Sequence, residues 1–96
     1  MKPLTPVSAG ARIALGIAFF EQGRLAVAES VLSRAIEAAP GGDDEKIGLI
    51  YWLGRALEAQ GKTLQAIRMY ERALAEDITF LDLRDRLARL SSEQRL

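Results

Sequence analysis

Two carboxylates at the right separation can divide general acid and base work between them, so paired Asp and Glu side chains are the first chemistry to look for. Glu58 and Glu71 are the candidates, but the helical periodicity around them puts them on separate segments facing different ways, with no cofactor motif beside them. The run Asp43-Asp44-Glu45 could draw a cation. It lacks the alternating ligand spacing of a calcium loop, and its place before an apolar segment fits an acidic helix start better. Arg84, Arg86, Arg89 and Arg95 gather charge that could meet phosphate, yet Asp82 and Asp85 interleave with them, and an ion-paired, solvated face accounts for the cluster. The chain has no Cys, no His and no Asn. That removes thiolate and imidazole metal sites, Cys nucleophiles and His bases together. With no Gly-rich phosphate loop, no G-x-S-x-G and no H-E-x-x-H, the residues predict a protein that is not an enzyme and takes no cofactor or metal.

The elements that carry these side chains must fit in 96 residues, enough for one domain with a modest core. Thirteen basic residues balance thirteen acidic ones, so the chain lacks the net positive charge with which proteins collect on nucleic acid or anionic membranes, and neither partner is expected. The apolar run at residues 13–20 (IALGIAFF) superficially imitates a secretory signal core. It is too short to span a bilayer, which takes roughly 20 apolar residues, and no small-x-small cleavage site follows it directly. The expected location is cytoplasmic.

Hydrophobic periodicity of 3.6 residues runs through most of the chain. Residues 1–8, with Pro3 and Pro6, read as an irregular lead-in that ends on Ser8, a good helix N-cap. A first helix follows to Gln22, broken by Gly23, and a second runs from Leu25 to Ala39 with Ala28, Val31, Leu32, Ala35 and Ile36 on one face, stopped by Pro40-Gly41-Gly42. The arrangement then returns: a helix from Ile47, a break at Gly61, and another helix carrying Ala66, Ile67, Tyr70, Ala73 and Leu74. Leu15-Gly16 matches Leu53-Gly54, Gln22-Gly23 matches Gln60-Gly61, and Arg34-Ala35-Ile36 matches Arg72-Ala73-Leu74, all at one offset of 38 residues. An offset kept across two helices and a turn is an internal duplication. Leu83, Leu87 and Leu90 then make a single apolar stripe on a charged segment over residues 81–91, and residues 92–96 form a tail. Gly16 and Gly54 stand in mid-helix at a cost of about 1 kcal/mol against Ala, which is sensible where a partner helix crosses too closely for a side chain.

These motifs resemble the tetratricopeptide repeat (TPR), a pair of antiparallel helices about 34 residues long. The first unit supplies Leu15-Gly16, Phe19, Gly23, Ala28, Leu32, Ala35 and Pro40 in the family's order, and the second supplies Leu53-Gly54, Leu57, Gly61, Ala66, Tyr70 and Ala73. Arg12 stands where Trp is usual, Leu57 replaces the aromatic, Ile78 replaces the closing Pro, and four extra residues fall in the loop. The resemblance implies an all-α, TPR-like helix-turn-helix solenoid: repeat 1 at 9–40, a loop at 41–46, repeat 2 at 47–80 and a capping helix at 81–91. About three repeats are normally needed for stability, so a chain with two and a half is expected to be marginal or to self-associate.

The same resemblance carries the expectations about function. In this family the first helix of each unit lines a concave groove, which implies Ile13, Ile17, Phe20, Tyr51, Trp52 and Arg55 as the partner-binding residues, with Asp82, Asp85, Arg86 and Arg89 at the rim. The family's Lys, Arg and Asn clamp for the C-terminal carboxylate of a chaperone tail cannot form, since Ile13, Ile17 and Trp52 occupy its positions. An apolar helical or extended segment of a protein or peptide partner is the expected ligand, anchored on Trp52. The alternative is a homodimeric scaffold closing on itself through the same groove.

Overall fold

The computed structural model describes residues 9–94, and the expected N-cap at Ser8 lies outside them. Among the described residues five α-helices occur in the order α1 (Ala9–Glu21), α2 (Leu25–Ala38), α3 (Ile47–Ala59), α4 (Thr63–Glu76) and α5 (Leu83–Glu93), with one 3-10 turn at Asp43–Glu45 before α3. The all-α class holds across the described residues.

The duplication is reproduced at the turns, where the closing glycine and the residue after it make the same bonds in both repeats. Gly23 and Gly61 sit at φ 77° and 79°, a left-handed conformation that costs glycine no Cβ clash. Around each, a Schellman motif ends the first helix: Arg24 N–H donates to the Phe19 carbonyl and Gly23 N–H to Phe20, while Lys62 N–H donates to Leu57 and Gly61 N–H to Glu58. The second helices also stop alike, with Ala39 N–H on the Ala35 carbonyl and Asp77 N–H on that of Ala73. Beyond these stops the two repeats diverge. Ala39 is extended (ψ 136°) because Pro40 disfavours the helical region in the residue before it. At the equivalent point of repeat 2, where Ile78 replaces that proline, the Asp77 carboxylate accepts from the Thr79 backbone N–H at 2.9 Å and from its hydroxyl at 2.7 Å. An Asx turn takes over the proline's task.

Within each pair the helices touch where the mid-helix glycines lie. A Cβ placed on Gly16 would come 2.5 Å from Leu32 Cδ2, and one on Gly54 would come 2.5 Å from Tyr70 Cε1. Ala28, Ala35, Ala66 and Ala73 are fully buried on the facing helices. α3 lies at the centre of the core and buries Leu49, Ile50, Tyr51, Leu53, Gly54, Ala56 and Leu57, while α2 contributes Leu32, Ala35 and Ile36 and α5 closes the end with Leu83 and Leu90. The result is an elongated body of 58 × 28 × 18 Å.

The capping helix begins two residues later than the leucine spacing predicts. Phe80 packs against the core and edge-on to Tyr51, at 5.7 Å, and Leu81 turns the chain through a left-handed φ of 47° before α5 starts at Leu83. At its other end α5 continues past Leu90 to Glu93. The 41–46 connection also differs from an open loop. Its 3-10 turn is clasped to α4 by a two-pronged ion pair, Arg72 Nη2 to Asp43 Oδ1 at 2.9 Å and Nε to Oδ2 at 3.2 Å. Asp43 therefore fastens the connection to the second repeat, a role the acidic helix start does not include.

Candidate interaction face

The face shared by α1, α3 and α5 brings together residues of equal repeat position. Ile13, Ile17 and Phe20 on α1 correspond at the 38-residue offset to Tyr51, Arg55 and Glu58 on α3. On α5, Asp85 and Arg89 occupy the positions of Tyr51 and Arg55. The face therefore changes along its length from aliphatic and aromatic at α1 to fully charged at α5. It is apolar over only half its length.

At the junction of the two halves lies a cluster of Phe20, Tyr51, Trp52 and Arg55. Trp52 meets Phe20 edge to face at 5.7 Å and Tyr51 at 5.6 Å. The Arg55 guanidinium carbon stands 5.0 Å from the Trp52 ring centre, 5.3 Å from that of Phe20 and 5.9 Å from that of Tyr51, and each such cation-π contact contributes about 0.5–1 kcal/mol at a partly exposed site. Phe20, Trp52 and Arg55 are half-buried; Tyr51 is 3% exposed and forms the floor beneath them. The Tyr51 hydroxyl donates to Asp82 Oδ1 at 2.6 Å and accepts from Arg55 Nη1 at 3.3 Å. Ile13 packs its Cδ1 against Gly48 and belongs to the margin of the core. Ile17 borders an open concavity of about 530 Å³ with Ala14, Ala18, Glu21 and Gln22. Of the six expected binding residues, Phe20, Tyr51, Trp52 and Arg55 thus form one cluster, and Ile13 and Ile17 are not among the contacts that build it.

The charged half is closed on itself. Glu58 accepts from the Tyr70 hydroxyl at 2.6 Å, Arg86 Nη1 at 3.2 Å and Arg89 Nη2 at 2.7 Å, and Arg86 Nε reaches Asp82 Oδ2 at 2.8 Å. Asp82, just before α5, pairs with Arg86, whereas Arg89 pairs with Glu58 on α3. Burial acts to raise the Glu58 carboxyl, but the Tyr70 hydroxyl and the two guanidinium groups outweigh it and hold the group below its ordinary value. Asp82 is likewise lowered, against its burial, by the Tyr51 hydroxyl and Arg86. Burial first, and the Glu58 carboxylate second, push the Tyr70 phenol up. Every buried side-chain polar atom among the described residues has a partner. Among the described residues no group of three or more acidic side chains is placed to hold a metal ion.

The paired helices, the Schellman turns at one offset and the glycine contacts beneath Leu32 and Tyr70 are the geometry of a helical repeat. A sequence model of the tetratricopeptide repeat matches residues 7–77. The chain belongs to the tetratricopeptide repeat family. TPR domains generally mediate protein-protein interaction, and no curated protein matches this chain closely enough to narrow that statement. No described helix of this TPR domain is long and apolar enough to cross a membrane. Glu58 is the residue of the face that sequence reasoning missed. Its register position opposite Phe20 was a signal that it faces the groove, and its partners lie 12 to 31 residues away, beyond the reach of a periodicity argument.

Proposed function

We propose that this TPR domain is a non-enzymatic interaction module that binds an apolar helical or extended segment of another protein. The observation that supports this most directly is the Phe20, Trp52 and Arg55 cluster, in which two half-buried aromatic rings from different repeats lie under one guanidinium. Half-exposed Trp beside Arg is the composition of interface anchor points. Ile13 and Ile17 extend the apolar surface towards the first repeat, and Tyr51 fixes the cluster from below through Asp82. Arg55 orients the ligand by offering its remaining N–H donors to a backbone carbonyl or carboxylate. So short a groove points to affinities on the order of micromolar, about −8 kcal/mol.

Self-association through the same groove has less support. A two-fold axis through the centre of the face would set Arg55 near its own image, so like charges would approach there.

Selection from a displayed random-peptide library tests the proposal, with affinities read from the fluorescence of Trp52, the single tryptophan. The expected ligands carry two or more apolar anchors. Arg55→Gln and Phe20→Ala are each expected to weaken them about tenfold, or 1.4 kcal/mol, with unchanged circular dichroism. A library that yields no ligand, or ligands indifferent to both substitutions, defeats the reading.

A further inference from the structure

α1 carries a second apolar surface, facing away from α2 and α3. At the 38-residue offset, Leu15 and Ala18 are the counterparts of Leu53 and Ala56. On α3 those two positions are 7% and 0% exposed, covered by neighbouring helices, whereas Leu15 is 48% exposed and Ala18 is also exposed. The repeat thus shapes this side of α1 for contact with a helix, and among the described residues no helix covers it. Leu15 projects from the stripe, and Ala14 and Ala18 line a shallow concavity together with Ile17, Glu21 and Gln22.

We infer that the occupant is a second copy of this chain, with α1 packed antiparallel against α1 of its partner about a two-fold axis. Three features of the stripe favour a self-contact. An isologous interface must be complementary to itself, residue i meeting j and j meeting i, and positions 14, 15 and 18 bring no charge into it. Antiparallel alignment sets Leu15 over the other copy's Ala18, and the reverse by symmetry, so a large side chain meets a small one twice. Parallel alignment would stack Leu15 on Leu15 and leave a gap at Ala18. The antiparallel register also brings Glu21, at the end of α1, to the first turns of the other copy's α1, the positive end of its dipole; the parallel one brings Glu21 towards Glu21. One helix pair buries less than a standard interface, so the dimer is weak and fills only at high concentration. Ile17 borders the same concavity as Ala14 and Ala18, whereas Leu15, Phe20, Trp52 and Arg55 do not, so variants at Leu15 test the dimer without altering the Phe20, Trp52 and Arg55 cluster.

Sedimentation equilibrium of the full chain from about 10 μM to 1 mM tests the inference. The expected result is a mass that rises towards twice the monomer. Leu15→Glu, at a half-exposed site where folding is retained, is expected to weaken association at least tenfold. Leu15→Ala removes the projection and Ala18→Leu sets leucine against leucine, so each is expected to weaken it too. Leu15→Ala combined with Ala18→Leu exchanges projection and hollow, and is expected to recover most of the loss. A wild type that stays monomeric to 1 mM overturns the inference. So does a dimer indifferent to Leu15→Glu, or a double variant no better than the two single ones.

Discussion

Gly54 and Gly16 hold equivalent positions, yet they should differ in what an added methyl group does. Helix propensity favours Ala over Gly by about 1 kcal/mol. Against that gain stands a Cβ 2.5 Å from Leu32 Cδ2 at Gly16, and one 2.5 Å from Cε1 of the Tyr70 ring at Gly54. Leu32 can change rotamer. Tyr70 is a rigid ring, fully buried, with its hydroxyl committed to Glu58. Overpacking of this kind typically costs about 1–3 kcal/mol, so Gly54→Ala is expected to lose about 1–2 kcal/mol net and Gly16→Ala clearly less, as measured by urea unfolding. Both glycines were legible in the sequence because a mid-helix Gly repeated at a fixed offset has a packing reason. The contacts of Arg55 were not: its place over Trp52 and Phe20 depends on how closely α1 and α3 approach, which no single-helix pattern contains.

At the scale of the element, α5 shows where sequence patterning stops. Its leucine stripe named the buried residues Leu83 and Leu90 correctly, because a 3.6-residue stripe depends only on local spacing. Its start was misplaced since residues 78–82 are governed by tertiary partners: Phe80 is drawn into the core, Leu81 adopts φ 47°, and the Asp82 carboxylate goes to Tyr51 and Arg86 and makes no N-cap hydrogen bond. The helix is thereby held by carboxylates as well as by leucines, which makes its docking acid-sensitive. Glu58 and Asp82 have folded-state pKa values below their ordinary ones. The unfolded chain takes up protons first as pH falls, so the stabilisation is complete above about pH 5 and is lost as pH drops through the folded values. The melting temperature is expected to be level from pH 7 to 5 and to fall below about pH 4. Glu58→Gln keeps the side-chain shape and removes the charge, and is expected to lower stability at pH 7 by about 1–2 kcal/mol, a modest figure because Arg89 lies half in solvent. It should also flatten the acid limb. A variant with an unchanged acid limb would show that other carboxylates control it.

For the whole molecule the consequence is a gradient of stability from the centre outwards. In a linear repeat each helix is held by its neighbours, and stability is close to a sum of local and nearest-neighbour contributions. α3 has neighbours on several sides and buries seven residues, including the Gly54 backbone under Tyr70. α1 buries Gly16 and half-buries Ile13, Ile17, Phe19 and Phe20, and its side carrying Leu15 and Ala18 meets solvent. The contacts of Glu29 with Lys62 and Gln60 tie the repeats together, and the ion pair from Asp43 to Arg72 holds the connection on α4, through largely exposed side chains, and such pairs add at most about 1 kcal/mol each. α1 should therefore open without the rest of the fold. Native-state hydrogen exchange at low micromolar concentration, where the α1 surface is unpaired, is expected to show the amides of α3 and α4 exchanging only through global unfolding. Those of α1 should exchange about a hundredfold faster or more, through a local event with little dependence on denaturant. Equal protection in all the helices would mean that the helices unfold as one unit and that the Phe20, Trp52 and Arg55 contact couples the first repeat to the second far more strongly than its area implies. The gradient also bears on binding, because a ligand that spans Phe20 and Trp52 must hold α1 in place. Saturating peptide is accordingly expected to slow exchange most in α1, and least in α4, which lies behind the groove.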